Sequence, residues 1–528
     1  MRRLEADFAA QLAAVRPDLS AAYAAALPGA RAAVLGRLWR GLLYEPLPGL
    51  AAGSGGRSGE PAVVPPPGRE AKVLLSGGRG LAGRARSPYD LDGEPCLWLD
   101  GRPHTHPAEL LSALDLPGTA RLIEDLDNSV ASLALSRAGA LARPHSVPSG
   151  AVDHEQDVVD GHPYHPGCRN RPGISVAEQL AYMPEHHPVV PLDLVALPAA
   201  ECLVTGPWPD ALTEGDRLLL PVHPWQTRHV LPALGLRPYA TGALPARPLM
   251  SARTLAPLDG GPHVKTALST RLTSGVRDIS PGSVRDCLAL SHLLTTLSAR
   301  RGGRPRIVRY LAGAAARVRG EPSADVSALL REPSPRNAIP VAAITRAPSG
   351  EPDRWLAAFA RLALTDTLDL LALGVALEAH GQNLLVVPGH DGSPARLVYR
   401  DLADIRISPA RLDRNGIERP PVSARLLTDD PEVLHAKLFG SLVGTTFGSL
   451  ISQFGQGDRT AESRLWAVVA GAARDAFDRL PATPDVRTDR AALFGPYLRV
   501  KGHLLARLDD APAGDSWVDL HNPLAAFA

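Results

Sequence analysis

The sequence predicts an α+β fold, and three stretches carry that prediction. Residues 1–45 show the apolar spacing of amphipathic helices. Residues 150–340 alternate short apolar runs, typical of strands, with loops, and end with a helix at 283–300. Residues 355–380 are apolar on most faces, as in a buried helix, and two runs typical of a β-hairpin follow. Strands and helices mixed in this irregular order favour the α+β class.

In the first 150 residues, helices flank a segment with strand character. The Pro/Gly/Ser-rich residues 44–70 predict a surface linker. Strands are expected from Ala71 onward, with a hairpin at 87–101. Residues 106–116 and 120–141 return to helical spacing. We predict an N-terminal domain over residues 1–150.

The rest of the chain divides at "RAPSGEPD", residues 346–353. We predict a mixed domain over 151–345 and a mostly helical one over 346–528, since 528 residues exceed one ordinary core. The buried helix is expected to stop at Gly381. "NLLVV", the turn "PGHDGSP" and "ARLVYRDL" then predict a hairpin.

Composition narrows the class of partner. With 56 basic and 55 acidic side chains the net charge is +1, so no overall field draws the chain to nucleic acid or to a membrane surface. No apolar run is long enough to span a bilayer, and no secretory h-region is visible. The four cysteines have no paired spacing, which excludes a zinc ribbon and argues against a disulfide framework. A cytoplasmic protein with small-molecule partners is expected.

Lysine is scarce in this chain. It occurs only at Lys72, Lys265, Lys437 and Lys501, and arginine supplies every other cation. Because an ammonium is a compact point charge and a guanidinium a planar fork, a position that keeps lysine is expected to need the smaller group.

Residues 160–173, "DGHPYHPGCRNRPG", place two histidines before prolines. A residue before proline is extended, so His162 and His165 are not a metal-binding pair on a helix face. If the chain continues as a strand, Arg169 and Arg171 point to one side and suit a carboxylate. The alternative is a turn fixed by the prolines, in which the histidines cap local carbonyls.

Two mid-chain stretches, "MSARTL" and "HVKTALSTRLTSGVR", combine cations with hydroxyls. Such a composition binds polyanions such as phosphates, because hydroxyls donate to phosphate oxygens and arginine binds them in bidentate fashion. The alternative is a solvated strand face. A Walker-type loop is absent from the sequence. The residues concerned are Ser251, Arg253, Thr254, Lys265, Thr273 and Arg277.

Hard oxygen ligands follow in "LEAHGQN" and "YRDL". Glu378, Asn383 and Asp401 are of the types that Mg²⁺ prefers beside substrate phosphates. On its own, a helix end with His380 is also explained as a dipole-stabilised cap. Together with the basic cluster, these residues predict a nucleotide site with Mg²⁺.

The order of the motifs "GHPYHPGCRNRPG", "PVHPWQ", "SARTL…HVKTALSTRLTSGVR", "EAHGQN", "YRDL" and "HNPLA" resembles the NRPS-independent siderophore synthetases of the aerobactin-synthetase type. The resemblance runs from about residue 150 to the C-terminus. It implies a cupped-hand architecture of thumb, fingers and palm, with a helical, distantly kinase-like palm. It also implies ATP- and Mg²⁺-dependent adenylation of a carboxylate, most often citrate, followed by transfer to an amine or alcohol. Members often form homodimers.

The resemblance implies a role for each matching residue. Lys265, Arg277 and His380 are the implied catalytic residues. The implied nucleotide contacts are Ser251, Arg253, Thr254, Lys265, Gln382 and Asn383, and the implied metal side consists of Glu378, Asn383 and Asp401. The implied carboxylate pocket comprises His162, His165, Arg169, Arg171, Thr273, Arg277 and His380.

Two positions depart from the family pattern, and two alternative functions stay open. Arg169 stands where lysine is common, and Asp404 where glycine is usual. The first alternative function is a kinase-like phosphotransferase acting on a small molecule. The second is a non-catalytic protein that binds a polycarboxylate or a ferric siderophore. The sequence shows no obvious general base, although His162, His165 or His380 could accept the proton.

Overall fold

The computed structural model describes residues 2–50, 69–75, 78–144, 147–273, 275–348, 350–509 and 516–528. Most of the predicted linker at 44–70 lies outside these ranges. The helices span Arg3–Val15 (α1), Ser20–Tyr44 (α2), Pro107–Leu114 (α3), Ala120–Leu141 (α4), Ala151–Gln156 (α5), Val176–Tyr182 (α6), Pro224–His229 (α7), Pro281–Arg300 (α8), Pro352–Leu373 (α9), Pro409–Arg414 (α10), Pro431–Phe439 (α11), Gly448–Gly455 (α12), Arg459–Asp478 (α13) and Pro484–Leu493 (α14). A π-helical segment, Gly440–Phe447, joins α11 to α12.

The strands span Glu70–Leu74 (β1), Gly80–Arg84 (β2), Leu97–Leu99 (β3), Arg102–His104 (β4), Val190–Pro198 (β5), Cys202–Thr205 (β6), Thr213–Glu214 (β7), Arg217–Val222 (β8), Ala240–Pro248 (β9), Thr254–Pro257 (β10), His263–Thr266 (β11), Leu268–Leu272 (β12), Gly275–Arg277 (β13), Arg306–Ile307 (β14), Tyr310–Val318 (β15), Glu321–Arg331 (β16), Ile339–Pro340 (β17), Val375–Ala376 (β18), Leu384–Pro388 (β19), Pro394–Tyr399 (β20), Arg406–Ile407 (β21), Tyr497–Lys501 (β22) and Trp517–His521 (β23). The predicted mixture of helix and sheet is confirmed.

The N-terminal part packs α1 to α4 with an antiparallel meander, β1-β2-β3-β4. Trp39 of α2 is fully buried, and its indole N–H donates to the Arg84 carbonyl of β2 at 2.8 Å. The predicted hairpin at 87–101 is wrong in position, because the hairpin is β3–β4. It turns at Asp100 and Gly101, which both adopt positive φ (49° and 79°), as an Asp-Gly hairpin turn requires.

A nine-stranded sheet, ordered β6-β15-β16-β11-β10-β9-β5-β8-β7, forms the middle of the molecule. All its neighbours pair antiparallel. Strand β11 lies between β10 and β16, and Lys265 pairs in register with Thr254. The central position of β11 buries Lys265, which is 4 % exposed.

In the C-terminal part, α9 ends earlier than predicted. Gly374 adopts φ 113° and its N–H caps the carbonyls of Leu370 and Leu371, so the expected end at Gly381 is wrong. Val375–Ala376 instead forms β18, which pairs with β21. A buried strand and a buried helix are equally apolar, so periodicity did not separate them. The predicted hairpin is confirmed as β19–β20.

The C-terminal residues are helical as predicted, except for one further hairpin, β22–β23. After β22 the chain returns to the N-terminal part, where Leu504 and Leu508 join the core. There the buried Glu45 carboxylate accepts the backbone N–H groups of His503, Leu504 and Leu505 at 2.8–3.0 Å. Among the described helices, none combines the length and apolarity needed to cross a membrane.

Candidate functional site

A cavity of about 380 Å³ opens between the nine-stranded sheet and the β19–β20 hairpin. Most of the residues predicted for the site line it. They are Arg169, Arg171, Ser251, Arg253, Lys265, Thr273, Arg277, Glu378, His380, Gln382, Asn383 and Asp401. Thr254, His162 and His165 are outside this lining.

Lys265 and Asp401 meet across the cavity. The Lys265 ammonium lies 2.7 Å from Oδ1 of Asp401, and the Tyr310 hydroxyl donates to the same oxygen at 2.8 Å. Burial acts to raise the pKa of Asp401, but the Lys265 charge outweighs it and holds the pKa well below its usual range. Burial lowers the pKa of Lys265 to about 8, against the pull of Asp401. The contact between Lys265 and Asp401 therefore connects the sheet to the chain that follows the β19–β20 hairpin.

The segment before β10 is a tight turn braced by its own hydroxyls. Ala252 adopts φ 63°, and Ser251 Oγ accepts the Thr254 N–H at 3.2 Å. The Ser251 and Thr254 hydroxyl oxygens lie 3.0 Å apart, so a hydrogen bond to Thr254 fixes the Ser251 side chain. Arg253 Nη1 donates to the Arg277 carbonyl at 2.9 Å and thereby connects the turn to β13. Burial lowers the pKa of Arg277 to about 10.

Glu378 is held by two lysines that the site prediction did not include. Its Oε1 lies 3.0 Å from the Lys501 ammonium and 3.3 Å from that of Lys437. His380 Nε2 lies 3.7 Å from Oε2. Burial acts to raise the pKa of Glu378, but Lys501 and Lys437 outweigh it and keep the carboxylate ionised. Three of the four lysines thus contact the acidic residues of the cavity, and the scarcity of lysine was the signal that points to them.

The oxygen donors of the predicted metal side fit Mg²⁺ only in part. Asp401, Glu378 and Asn383 all line the cavity, but both carboxylates already contact lysines. Within the part of the chain that the structure describes, no group of three or more His, Cys, Asp or Glu side chains is arranged to hold a metal. Mg²⁺ commonly takes one or two protein carboxylates and fills its shell with waters and substrate phosphates. These residues suit that mode rather than an all-protein cage.

A buried ion pair holds the cavity walls together. Arg400, directly before Asp401, forms a bidentate pair with Glu155 of α5, and the two residues are 3 % and 1 % exposed. Glu155 also accepts the Met250 N–H at 3.1 Å, next to Ser251. Arg400 Nε donates to the Gln382 carbonyl at 3.1 Å. The pair connects the turn before β10 to the loop that carries Asn383.

The His-Pro loop is braced by its own imidazoles, which cap amides rather than the carbonyls considered above. His162 Nδ1 accepts the N–H groups of Tyr164 and His165, and His165 Nδ1 accepts that of Gly167 at 2.9 Å. Burial lowers the pKa of His165 to about 3 and that of His162 well below its usual value. Both rings are therefore neutral with the proton on Nε2, which leaves neither with a free nitrogen to act as the expected base. His503, absent from the prediction, completes the cluster at 4.8 and 5.0 Å between ring centres.

Arg169 and Arg171 share a carboxylate, but it belongs to the protein. Residues 169–171 form turns and coil rather than the strand considered above. The two guanidiniums lie 3.6 and 2.7 Å from the fully buried Glu185. Arg169 also donates to the carbonyls of Val158 and Val159. Much of their charge is thus compensated internally. At the other departure from the pattern, Asp404 lines the cavity 3.7 Å from Arg425.

Solved structures of other proteins share this fold. The chain shares its fold with the petrobactin biosynthesis protein AsbB from Bacillus anthracis str. Sterne, with a TM-score of 0.77, 17 % identity, and 96 % of this chain and 98 % of that chain covered. For ATP-bound aerobactin synthetase IucA from a hypervirulent pathotype of Klebsiella pneumoniae the TM-score is 0.73 at 21 % identity, with 94 % and 99 % covered. The fold is that of these biosynthetic proteins.

Sequence comparisons match parts of the chain to two family models and to curated relatives. Residues 150–346 match the IucA / IucC family, and residues 353–516 match a model described as a ferric iron reductase FhuF-like transporter. Among curated proteins of Staphylococcus aureus (strain NCTC 8325 / PS 47), D-ornithine–citrate ligase is 22 % identical over 79 % of this chain and 80 % of that protein. Staphyloferrin A synthase is 24 % identical over 70 % and 72 %. The match to the IucA / IucC family thus covers residues 150–346, and the resemblance of the motifs to siderophore synthetases of the aerobactin-synthetase type is confirmed.

Proposed function

We propose that the protein is an ATP-dependent siderophore synthetase that adenylates a carboxylate, citrate or a citrate derivative, and condenses it with an amine or alcohol. The contact between Lys265 and Asp401 carries this proposal, because it unites the polyanion-binding strand and the hairpin in one cavity. The similarity to a D-ornithine–citrate ligase and to an ATP-bound synthetase supports the substrate classes.

In this proposal, the two anionic substrates lie side by side. Ser251, Arg253 and Lys265 bind the ATP phosphates with support from Thr254, and Gln382 and Asn383 contact the nucleotide. Arg277, Thr273 and His380 bind the carboxylate. When bound, Mg²⁺ held by Asp401, Asn383 and Glu378 would neutralise phosphate charge. The protein's part is to orient two anions and to compensate their charge.

The reaction then proceeds in two balanced steps. A carboxylate oxygen attacks the α-phosphorus of ATP, and the bond from this phosphorus to the oxygen that bridges it to the β-phosphorus breaks. Pyrophosphate leaves, and Lys265 and Arg253 compensate its negative charge. The nitrogen or oxygen of the second substrate next attacks the acyl carbon, AMP leaves, and the nucleophile loses one proton. His162 and His165 are not suited to take that proton, because each Nδ1 already accepts backbone N–H groups.

The products test the proposal. Incubation with ATP, Mg²⁺, citrate and hydroxylamine is expected to yield AMP, pyrophosphate and a citryl hydroxamate, measured by chromatography and mass. ADP without AMP would instead identify a phosphotransferase. Binding of citrate without consumption of ATP would identify a non-catalytic carrier. A matrix of acids and amines then identifies the physiological pair.

Lys265 makes the use of ATP dependent on pH. Its pKa of about 8 means that the free protein loses this positive charge as the pH rises through that value. We therefore expect kcat/KM for ATP to fall above about pH 8, because this parameter reports the free enzyme. Bound phosphates favour the charged ammonium, so the fall in kcat should occur at higher pH. A kcat/KM profile that stays flat to about pH 9.5, as expected if Lys265 had the pKa of an ordinary lysine, would contradict this assignment.

A further inference from the structure

The π-helical segment Gly440–Phe447 interrupts a helix that otherwise runs from α11 into α12. At its end, the backbone N–H of Gly448 donates to the carbonyl of Val443, five residues earlier. Segments with this i→i+5 pattern are rare, short, and frequent at functional sites. None of its residues lines the cavity, so a role in the site has to be indirect.

Two hydroxyls of this segment hold one residue of the cavity loop from both sides. The Ala379 N–H donates to Ser441 Oγ at 2.8 Å, and Thr446 Oγ1 donates to the Ala379 carbonyl at 2.8 Å. Ala379 is fully buried and lies between Glu378 and His380. Holding its peptide groups therefore determines where the two neighbouring side chains point.

The π-helical geometry is what allows both contacts. Ser441 and Thr446 are five residues apart, which in an α-helix places their side chains about 140° apart around the axis. The i→i+5 repeat brings residues five apart to nearly the same side. An ordinary helix at this position could offer only one of the two hydroxyls to Ala379.

The same segment also places Lys501. A Cβ atom at Gly440 would lie 2.5 Å from the Arg499 carbonyl oxygen, and one at Gly444 would lie 2.7 Å from Val500 Cγ1. The glycines thus let β22 pack directly on the segment, and Lys501 follows at the end of this strand. The π-helical segment therefore contacts both the loop that carries Glu378 and strand β22, which carries its partner Lys501.

We propose that the π-helical segment positions His380 for the carboxylate substrate and Glu378 for the metal side of the cavity, and that Ser441 and Thr446 are positioning residues that do not touch the substrate. The kinetic part of this inference rests on the proposed function. The structural part, that the hydroxyls hold the loop at Ala379, does not.

Thr446→Val keeps the shape of the side chain and removes its hydroxyl. We expect kcat/KM for the carboxylate to fall about tenfold, since a buried carbonyl loses its donor. Thr446→Ser keeps the hydroxyl and should restore the wild-type value. The matched control is Thr367→Val in α9, which removes an equally buried hydroxyl bonded to the Ala363 carbonyl, away from the cavity.

Hydrogen exchange tests the structural part without turnover. Ser441→Ala removes the acceptor of the Ala379 amide and should speed exchange in the 377–383 peptide, whereas Thr367→Val should not. An unchanged kcat/KM for the carboxylate in Thr446→Val, or an equal loss in Thr446→Ser, would overturn the positioning role. If the wild type consumes no ATP, the proposed function fails, and the exchange result alone decides whether the segment holds the loop.

Discussion

Replacement of Lys265 by methionine is expected to slow pyrophosphate release by about a hundredfold or more, by analogy with the loss of one preorganised donor at a developing charge. Lys265 is fixed by Asp401 and by its place in a central strand. Methionine has a similar length and fills the site without a charge. The measurement is single-turnover pyrophosphate release with saturating ATP and citrate.

Two further variants define what this loss means. Lys265→Arg keeps the charge but brings a larger planar group into a buried site, so it should restore little activity. Lys72→Met removes a surface lysine whose side chain is 65 % exposed and should behave as wild type. A decrease of less than about tenfold in Lys265→Met would remove this residue from the catalytic set.

Breaking the pair between Glu155 and Arg400 is expected to give the largest loss of stability. Glu155→Gln leaves the Arg400 guanidinium buried without its counter-charge, which typically costs about 3–5 kcal/mol of unfolding free energy. The measurement is urea unfolding followed by circular dichroism. Because the pair also connects Met250 to the loop of Gln382, KM for ATP should rise in parallel.

A second buried pair offers the matched control. Arg411 and Asp489 are 3 % and 1 % exposed and form two bonds of 2.8 Å in the C-terminal part. Asp489→Asn should lower stability by a comparable amount and leave KM for ATP unchanged. If Glu155→Gln changed neither the unfolding midpoint nor KM, the connecting role of the pair would be wrong.

Local pattern was enough for elements whose chemistry is local. Helix α4 and the β19–β20 hairpin occur where spacing and turn residues predicted them, because their bonds join near neighbours. The end of α9 was missed because the residues after it are buried and therefore apolar, as they would also be if the helix continued. The turn at Asp100 and Gly101 shows the opposite case, in which a dipeptide signal was present but the hairpin was placed too early.

The candidate site also contains residues that local motifs predicted and residues that only tertiary packing reveals. Lys265, Asn383 and Asp401 lie in recognisable motifs, and the structure brings them to one cavity. Glu185 and His503 have no local pattern, and only tertiary packing reveals that they bind or contact the predicted residues. The roles of the predicted site residues and the domain limits at 150 and 345 stay predictions.

The carboxylate of Glu45 has a consequence for biosynthesis. Glu45 directly follows α2, yet the N–H groups whose hydrogen bonds it accepts belong to residues 503–505, shortly after Lys501. A ribosome must therefore deliver nearly the whole polypeptide before this clasp can close. Until then, Lys501 is not in place beside Glu378, and His503 is not in place beside the imidazoles of the His-Pro loop.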